Sequence, residues 1–150
     1  MDDTEFLKAF EAGTIPAEAW HHREHVKIAY LYLNRYSFDE ALGRMRAGLE
    51  ALNAAQKVPD APDRGYHETM TCAWLRLVHC ALCENGSTAT ADAFIEQHSH
   101  LQARRALYFF YSRDRLMSAA AKKGFVEPDL APLPKSPKAF DIVANLTHKQ

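Results

Sequence analysis

The sequence predicts an all-α protein: a helical bundle of about four main helices, with shorter helices and a proline-rich C-terminal tail. Apolar residues recur at steps of three and four along most of the 150 residues, as on the buried face of a helix. Helix-start and helix-stop residues separate these segments. No segment shows the alternation or the hairpin turns of a strand. At this length we expect one helical domain over residues 1–150, with an extended tail from about residue 125.

Four segments carry the main helices. Their predicted bounds are residues 4–12, 21–35, 38–56 and 66–84. Gly13 is expected to end the first helix, and Ser37 with Glu40 forms a capping box at the start of the third. A break rich in proline and glycine at residues 58–65 precedes the fourth helix, which is apolar nearly all round. We therefore expect the fourth helix at the centre of the bundle.

The remaining elements are shorter. A fifth helix is expected to begin at Ser87, Thr88 or Thr90 and to end near His98. One further helix is predicted over residues 113–123. Prolines in residues 125–137 predict an extended tail across the bundle, and a last short helix is expected over residues 138–146.

The charge of the chain argues against two classes of partner. The formal net charge is −1 and both signs are mixed along the chain, so neither nucleic acid nor an anionic membrane surface is an expected partner. No apolar run approaches the roughly 18 residues that a membrane span needs. Three of the first five residues are acidic, which is the opposite of a secretory signal. We therefore expect a cytoplasmic protein.

Histidines at the head of the second helix are the clearest chemical signal. His22 and His25 are three residues apart and share a helix face, which continues inward to Ala29. His67, at the head of the fourth helix, is expected to face the same interior. Three imidazoles from two helices suit a divalent transition metal (Zn²⁺, Fe²⁺, Mn²⁺ or Ni²⁺), and open coordination positions would make the site catalytic. His21 has an equivalent spacing to His25, so it stays an alternative to His22.

Polar side chains near these histidines are candidates for catalysis and substrate binding. We expect Glu68 or Glu24 to be a fourth metal ligand, a partner that orients a histidine, or a general base. The side chains predicted to bind a substrate are Tyr66, Thr71, Tyr111 and Arg115. HExxH spacing is absent, so the pattern does not support a zinc-protease mechanism.

Three segments resemble a group of small bacterial proteins of unassigned function. They are residues 22–25 with the helix that follows them, residues 65–69 and residues 125–130. The resemblance covers most of the chain and implies a shared fold and site. The architecture is also loosely similar to DinB/YfiT-type bundles, which bind a metal through three histidines, although there the lone histidine comes first and the HxxxH pair later. That similarity implies a metal site inside a helical bundle.

These observations lead to three hypotheses. The leading one is a metal-dependent enzyme that acts on a small molecule, by hydrolysis through a metal-activated water or by oxidation at a non-haem iron. The second is a binding or interaction protein with a buried His/Glu hydrogen-bond network, no metal and a homodimeric interface. The third is a metal-free pocket that binds an anion through Arg113 or Arg115, because the arginine side chain matches the geometry of a carboxylate or a phosphate. Arg104 and Arg105 are further candidates. A solvated face is the ordinary explanation for such residues.

Overall fold

Helices make up the regular structure of residues 1–135, the part of the chain that the computed structural model describes. Seven α-helices lie in that part: α1 Asp3–Ala12, α2 His22–Leu33, α3 Phe38–Ala55, α4 Glu68–Asn85, α5 Ala91–Gln97, α6 Arg113–Leu116 and α7 Ala119–Lys123. Short 3₁₀ segments occur at Ala17–Ala19, Ser99–Gln102 and Ala106–Phe109. The prediction of an all-α bundle with four main helices is confirmed. No helix of residues 1–135 is long and apolar enough to cross a membrane.

Helix α2 lies at the middle of the bundle, with α1, α3, α4 and α5 packed around it. Its residues from Ile28 to Leu33 are all buried, so the second half of the helix has no solvent face. The sequence pattern predicts only one inward stripe on this helix, because the periodicity of its apolar residues does not show how many other helices surround it. Helix α4 packs against α2, α3 and α7 and shares the centre, as its apolar composition predicts.

Helix ends follow the capping chemistry of the sequence. Asp2 and Ser37 accept hydrogen bonds from the backbone N–H groups of Glu5 (2.8 Å) and Glu40 (3.2 Å). Gly13 ends α1 in the left-handed conformation that glycine adopts without strain (φ 69°). Helix α5 begins after Thr90, the last of the three predicted starting residues. Helix α4 begins at Glu68 rather than at residue 66.

The prediction of one continuous helix over residues 113–123 is wrong, because this range forms two helices, α6 and α7. Ser118 separates α6 from α7: its Oγ accepts from the backbone N–H of Ala121 (3.1 Å) and donates to the carbonyl of Arg115 (2.7 Å). A serine that caps a new helix in this way competes with helix continuation.

Residues 125–135 form no helix and lie against the bundle, which confirms the extended tail for this range. Leu133 is buried with Ala73, Leu107, Tyr111 and Leu116 in a second apolar cluster on the outer side of α4. The expected helix over residues 138–146 lies outside the described residues. The second cluster holds the segment before α6 beside α4, and this leaves a cleft facing α2.

Candidate functional site

A cleft of about 1220 Å³ is bordered by the starts of α2 and α4, by α3, and by the segment from Gln102 to Leu116. Its histidines are His21, His22, His25 and His67. Its arginines are Arg23, Arg104, Arg105 and Arg113. No Asp or Glu of residues 1–135 lines it. The cleft therefore combines several positive charges with no negative charge in its wall.

His22 is held at the edge of the cleft in one tautomer. Its Nε2 lies 2.9 Å from the carbonyl oxygen of Leu101, and because a carbonyl can only accept, Nε2 must carry the proton. The His22 ring also packs on Trp74, with 4.3 Å between ring centroids. Burial lowers the pKa of His22, and the positive charge of Arg104 lowers it further despite the bond to Leu101. Neutral His22 therefore leaves Nδ1 as a hydrogen-bond acceptor.

His25 is held in the opposite tautomer. The indole Nε1–H of Trp20 donates to His25 Nε2 across 2.9 Å, so that nitrogen is unprotonated and Nδ1 carries the proton. Burial lowers the pKa of His25 to about 4, with smaller contributions from His22 and Arg104. Trp20 itself stacks on Phe10, with 5.4 Å between ring centroids, which fixes the indole against α1.

His67 uses both of its ring nitrogens inside the protein. Nδ1 accepts from the backbone N–H of Met70 (3.0 Å), which makes His67 the N-cap of α4. Nε2 donates to the carbonyl oxygen of Leu116 (2.8 Å), which ties α4 to α6. Burial is the main cause that lowers the pKa of His67, and Lys122 adds to it. The ring thus fills a role that Ser, Thr, Asp or Asn usually fills.

Glu68 is held as an ion-paired carboxylate. Arg46 donates to it through Nε (2.9 Å) and Nη2 (2.6 Å), and the hydroxyl of Tyr66 donates to Oε1 (2.6 Å). The hydrogen bonds from Arg46 lower the pKa of Glu68 in spite of its partial burial. Burial and Glu68 together raise the pKa of Tyr66. A carboxylate paired on both oxygens is a weak general base, and Glu68 borders a second cavity of about 850 Å³ rather than the cleft.

Tyr66 lines both cavities, and Thr71 lines the cleft. The Thr71 hydroxyl donates to the carbonyl of His67, four residues earlier (2.9 Å). Glu24 does not line the cleft: it accepts from the backbone N–H of His21 (2.8 Å) and closes the first turn of α2. Its sequence position, three residues after the N-cap, is the signal for that role.

Tyr111 and Arg115 lie outside the cleft. The Tyr111 hydroxyl is buried and donates to the carbonyl of Val126 (2.7 Å), and the guanidinium of Arg115 donates to the carbonyl of Glu127. Both side chains anchor the extended tail, a contact that no local sequence pattern indicates.

Three arginines of the cleft have side chains without a hydrogen-bond or ion-pair partner within residues 1–135. Arg104, Arg105 and Arg113 are exposed, and their guanidinium groups make no hydrogen bond or ion pair with any other residue of the described chain. Arg23, by contrast, is paired with Asp92 (3.0 Å). In the sequence, Arg104, Arg105 and Arg113 are marked only by lying close together, a pattern that predicts either an anion site or a solvated face.

The predicted three-histidine metal site stays a prediction. His22, His25 and His67 border the same cleft, but within residues 1–135 no three His, Cys, Asp or Glu side chains are grouped so as to hold a metal ion. Comparisons of the chain with protein-family models, with curated proteins and with solved structures found no match. The resemblances inferred from the sequence therefore stay predictions as well.

Proposed function

We propose that the protein binds a small organic anion in the cleft beside His22 and His25. One observation carries this proposal: three arginines border the cleft without any partner in the described chain, and no carboxylate shares the wall with them. A guanidinium presents a planar fork of donors that matches a carboxylate or a phosphate. A cleft with one sign of charge also raises the local concentration of ligands of the opposite sign.

The two histidines add directed hydrogen bonds rather than charge. His22 offers an acceptor at Nδ1 and His25 a donor at Nδ1, because their other nitrogens are occupied by Leu101 and Trp20. Both pKa values are lowered, so at neutral pH the rings are uncharged and the positive charge of the cleft comes from its arginines. An anion held by Arg104 would share the cleft with both rings, because all three side chains border it.

Metal-dependent catalysis in the same cleft is less well supported. A metal bound by His22, His25 and His67 would require His67 to give up either its cap on α4 or its bond to Leu116. Each of those hydrogen bonds contributes on the order of 1 kcal/mol to stability. Anion binding requires no such rearrangement.

Thermal unfolding in the presence of anions tests the proposal. Acetate, succinate and inorganic phosphate would be titrated at constant ionic strength, with chloride as the reference salt. An anion at ten times its dissociation constant contributes about 1.4 kcal/mol of stability, which corresponds to a rise in Tm of about 3–6 °C. A parallel titration with Zn²⁺ or Ni²⁺ examines the metal hypothesis.

Variants locate the site. Arg104→Ala is expected to reduce the anion-dependent rise in Tm at least threefold. Arg35→Ala is the matched control, because Arg35 is exposed, loses the same charge and does not border the cleft. If no anion stabilises the wild type beyond chloride, or if both variants respond like the wild type, anion binding in this cleft is wrong.

A further inference from the structure

We infer that the ligand is amphipathic: an organic anion whose other end is apolar, with its charged group at the arginines and its apolar body deeper in the cleft. This inference rests on the proposed anion site. It specifies the class of ligand through the arrangement of charge and apolar surface around the same cavity.

The apolar part of the wall is buried, whereas the arginines are exposed. The buried residues that border the cleft are Ala29, Met45, Leu49, Leu75, Leu107 and Leu116. They come from α2, α3, α4, the last 3₁₀ segment and α6, so the floor of the cleft is built from the main core and from the second apolar cluster. Arg104, Arg105 and Arg113 stand at the opening, in contact with solvent. Charge at the opening and apolar surface at the floor match a ligand with its charged group outward.

Two tryptophans flank the space between these regions. Trp20 and Trp74 are both half-buried and both border the cleft. Each indole contacts one of the histidines, Trp20 with His25 (4.7 Å between ring centroids) and Trp74 with His22 (4.3 Å). When an apolar ligand replaces the water beside such partly exposed rings, apolar surface is buried, and this favours binding.

The volume of the cleft also exceeds what a simple anion fills. About 1220 Å³ lies above the roughly 300–1,000 Å³ of ordinary small-molecule sites. An acetate or phosphate ion would fill little of this volume and would leave the half-buried side chains of Trp20, Met70 and Trp74 in contact with water. A ligand with a hydrocarbon or aromatic body would cover both regions.

Intrinsic fluorescence provides a direct readout, because the chain has two tryptophans and both border the cleft. The probes are acetate, hexanoate and octanoate, with 1-octanol as the uncharged match; octanoate is kept below its micellar concentration and 1-octanol below its solubility limit. We expect binding to tighten by about fourfold for each methylene that is buried, so octanoate, with two more methylenes, should bind about fifteenfold more tightly than hexanoate. Octanoate should also bind at least tenfold more tightly than 1-octanol.

Two pairs of variants separate the two halves of the ligand. Met70→Ser in the cleft should weaken octanoate several-fold and leave acetate unchanged, whereas Met117→Ser, which borders the second cavity, should leave both unchanged. Arg104→Ala should weaken acetate and octanoate by the same factor, and Arg35→Ala should not.

The outcomes distinguish this inference from the proposed function. If acetate binds and chain length has no effect, the cleft is an anion site and the amphipathic ligand is wrong. If 1-octanol binds as tightly as octanoate and Arg104→Ala has no effect, the anion site itself is wrong, and the inference fails with it. If none of the probes changes the tryptophan emission or the Tm, both are overturned.

Discussion

Replacing either of two glycines on α3 by alanine should have opposite effects on stability. A Cβ at Gly48 would lie 2.2 Å from Cε2 and 2.5 Å from Cζ of Phe10. Phe10 is fully buried, with its ring against Trp20 and Tyr32, so it has no free space to move into. A Cβ at Gly43 would meet no atom within 4 Å.

The magnitudes follow from two opposing effects. Alanine in place of a glycine inside a helix stabilises by about 0.5–1 kcal/mol, because the unfolded chain loses freedom and the helix gains a better former. Gly43→Ala should show this gain in full. At Gly48 the overlap with Phe10 costs about 1–3 kcal/mol, so the net change should be destabilising by up to about 2 kcal/mol. Because both variants share the gain from alanine, they should differ by the overlap cost, about 1–3 kcal/mol.

Urea unfolding, followed by circular dichroism, measures both variants on the same helix. Because Phe10 stacks on Trp20, the tryptophan emission of native Gly48→Ala should also shift, while that of Gly43→Ala should match the wild type. If Gly48→Ala is as stable as Gly43→Ala, then α1 and α3 do not approach each other closely at Phe10, and Phe10 is not held tightly beneath Trp20.

Two further predictions concern the histidines. The pKa of His25 is about 4 in the folded protein and 6.5 in the unfolded chain. Between these pH values the unfolded chain therefore binds more protons than the folded protein. The free energy of unfolding should fall by about 2.5 kcal/mol as pH falls from 6.5 to 4. Urea unfolding over this range should show a smaller loss in His25→Gln than in the wild type. His67→Ala should lower the free energy of unfolding by about 2 kcal/mol, because it removes the hydrogen bonds to Met70 and to Leu116. His67→Asn should recover about half of this loss, because asparagine can cap α4. Equal stability of the two variants would contradict the capping role.

Much of the fold could be predicted because its signals are local. Helical periodicity identifies the segments, and residues such as Ser37 and Gly13 act on backbone groups only a few positions away. The break between α6 and α7 was missed because Ser118 is as compatible with a helix interior as with a cap. Its hydrogen bonds, and the room for a new helix axis, decide between the two.

The site was less predictable, because the atoms that determine its chemistry are distant in sequence. His22 is bonded to Leu101, 79 residues away, and His67 to Leu116, 49 residues away. Both partners are backbone carbonyls of leucines, which no motif distinguishes from other leucines. Helical spacing correctly indicates that residues share a face, but it does not show which ring nitrogens remain unoccupied.

The occupied nitrogens change what the histidine pattern implies. A metal ligand needs an unprotonated nitrogen directed at the ion, and here His25 directs its unprotonated Nε2 at the Trp20 indole, while His67 directs its own at the backbone of α4. Burial lowers the pKa of His22, His25 and His67, with smaller contributions from Arg104 at the first two and from Lys122 at the third, so the rings do not make the cleft positive. The charge that distinguishes the cleft therefore comes from Arg104, Arg105 and Arg113, residues whose sequence context resembles an ordinary solvated surface. A histidine cluster directs attention to this part of the chain, but the arginines opposite it determine which ligand the cleft attracts.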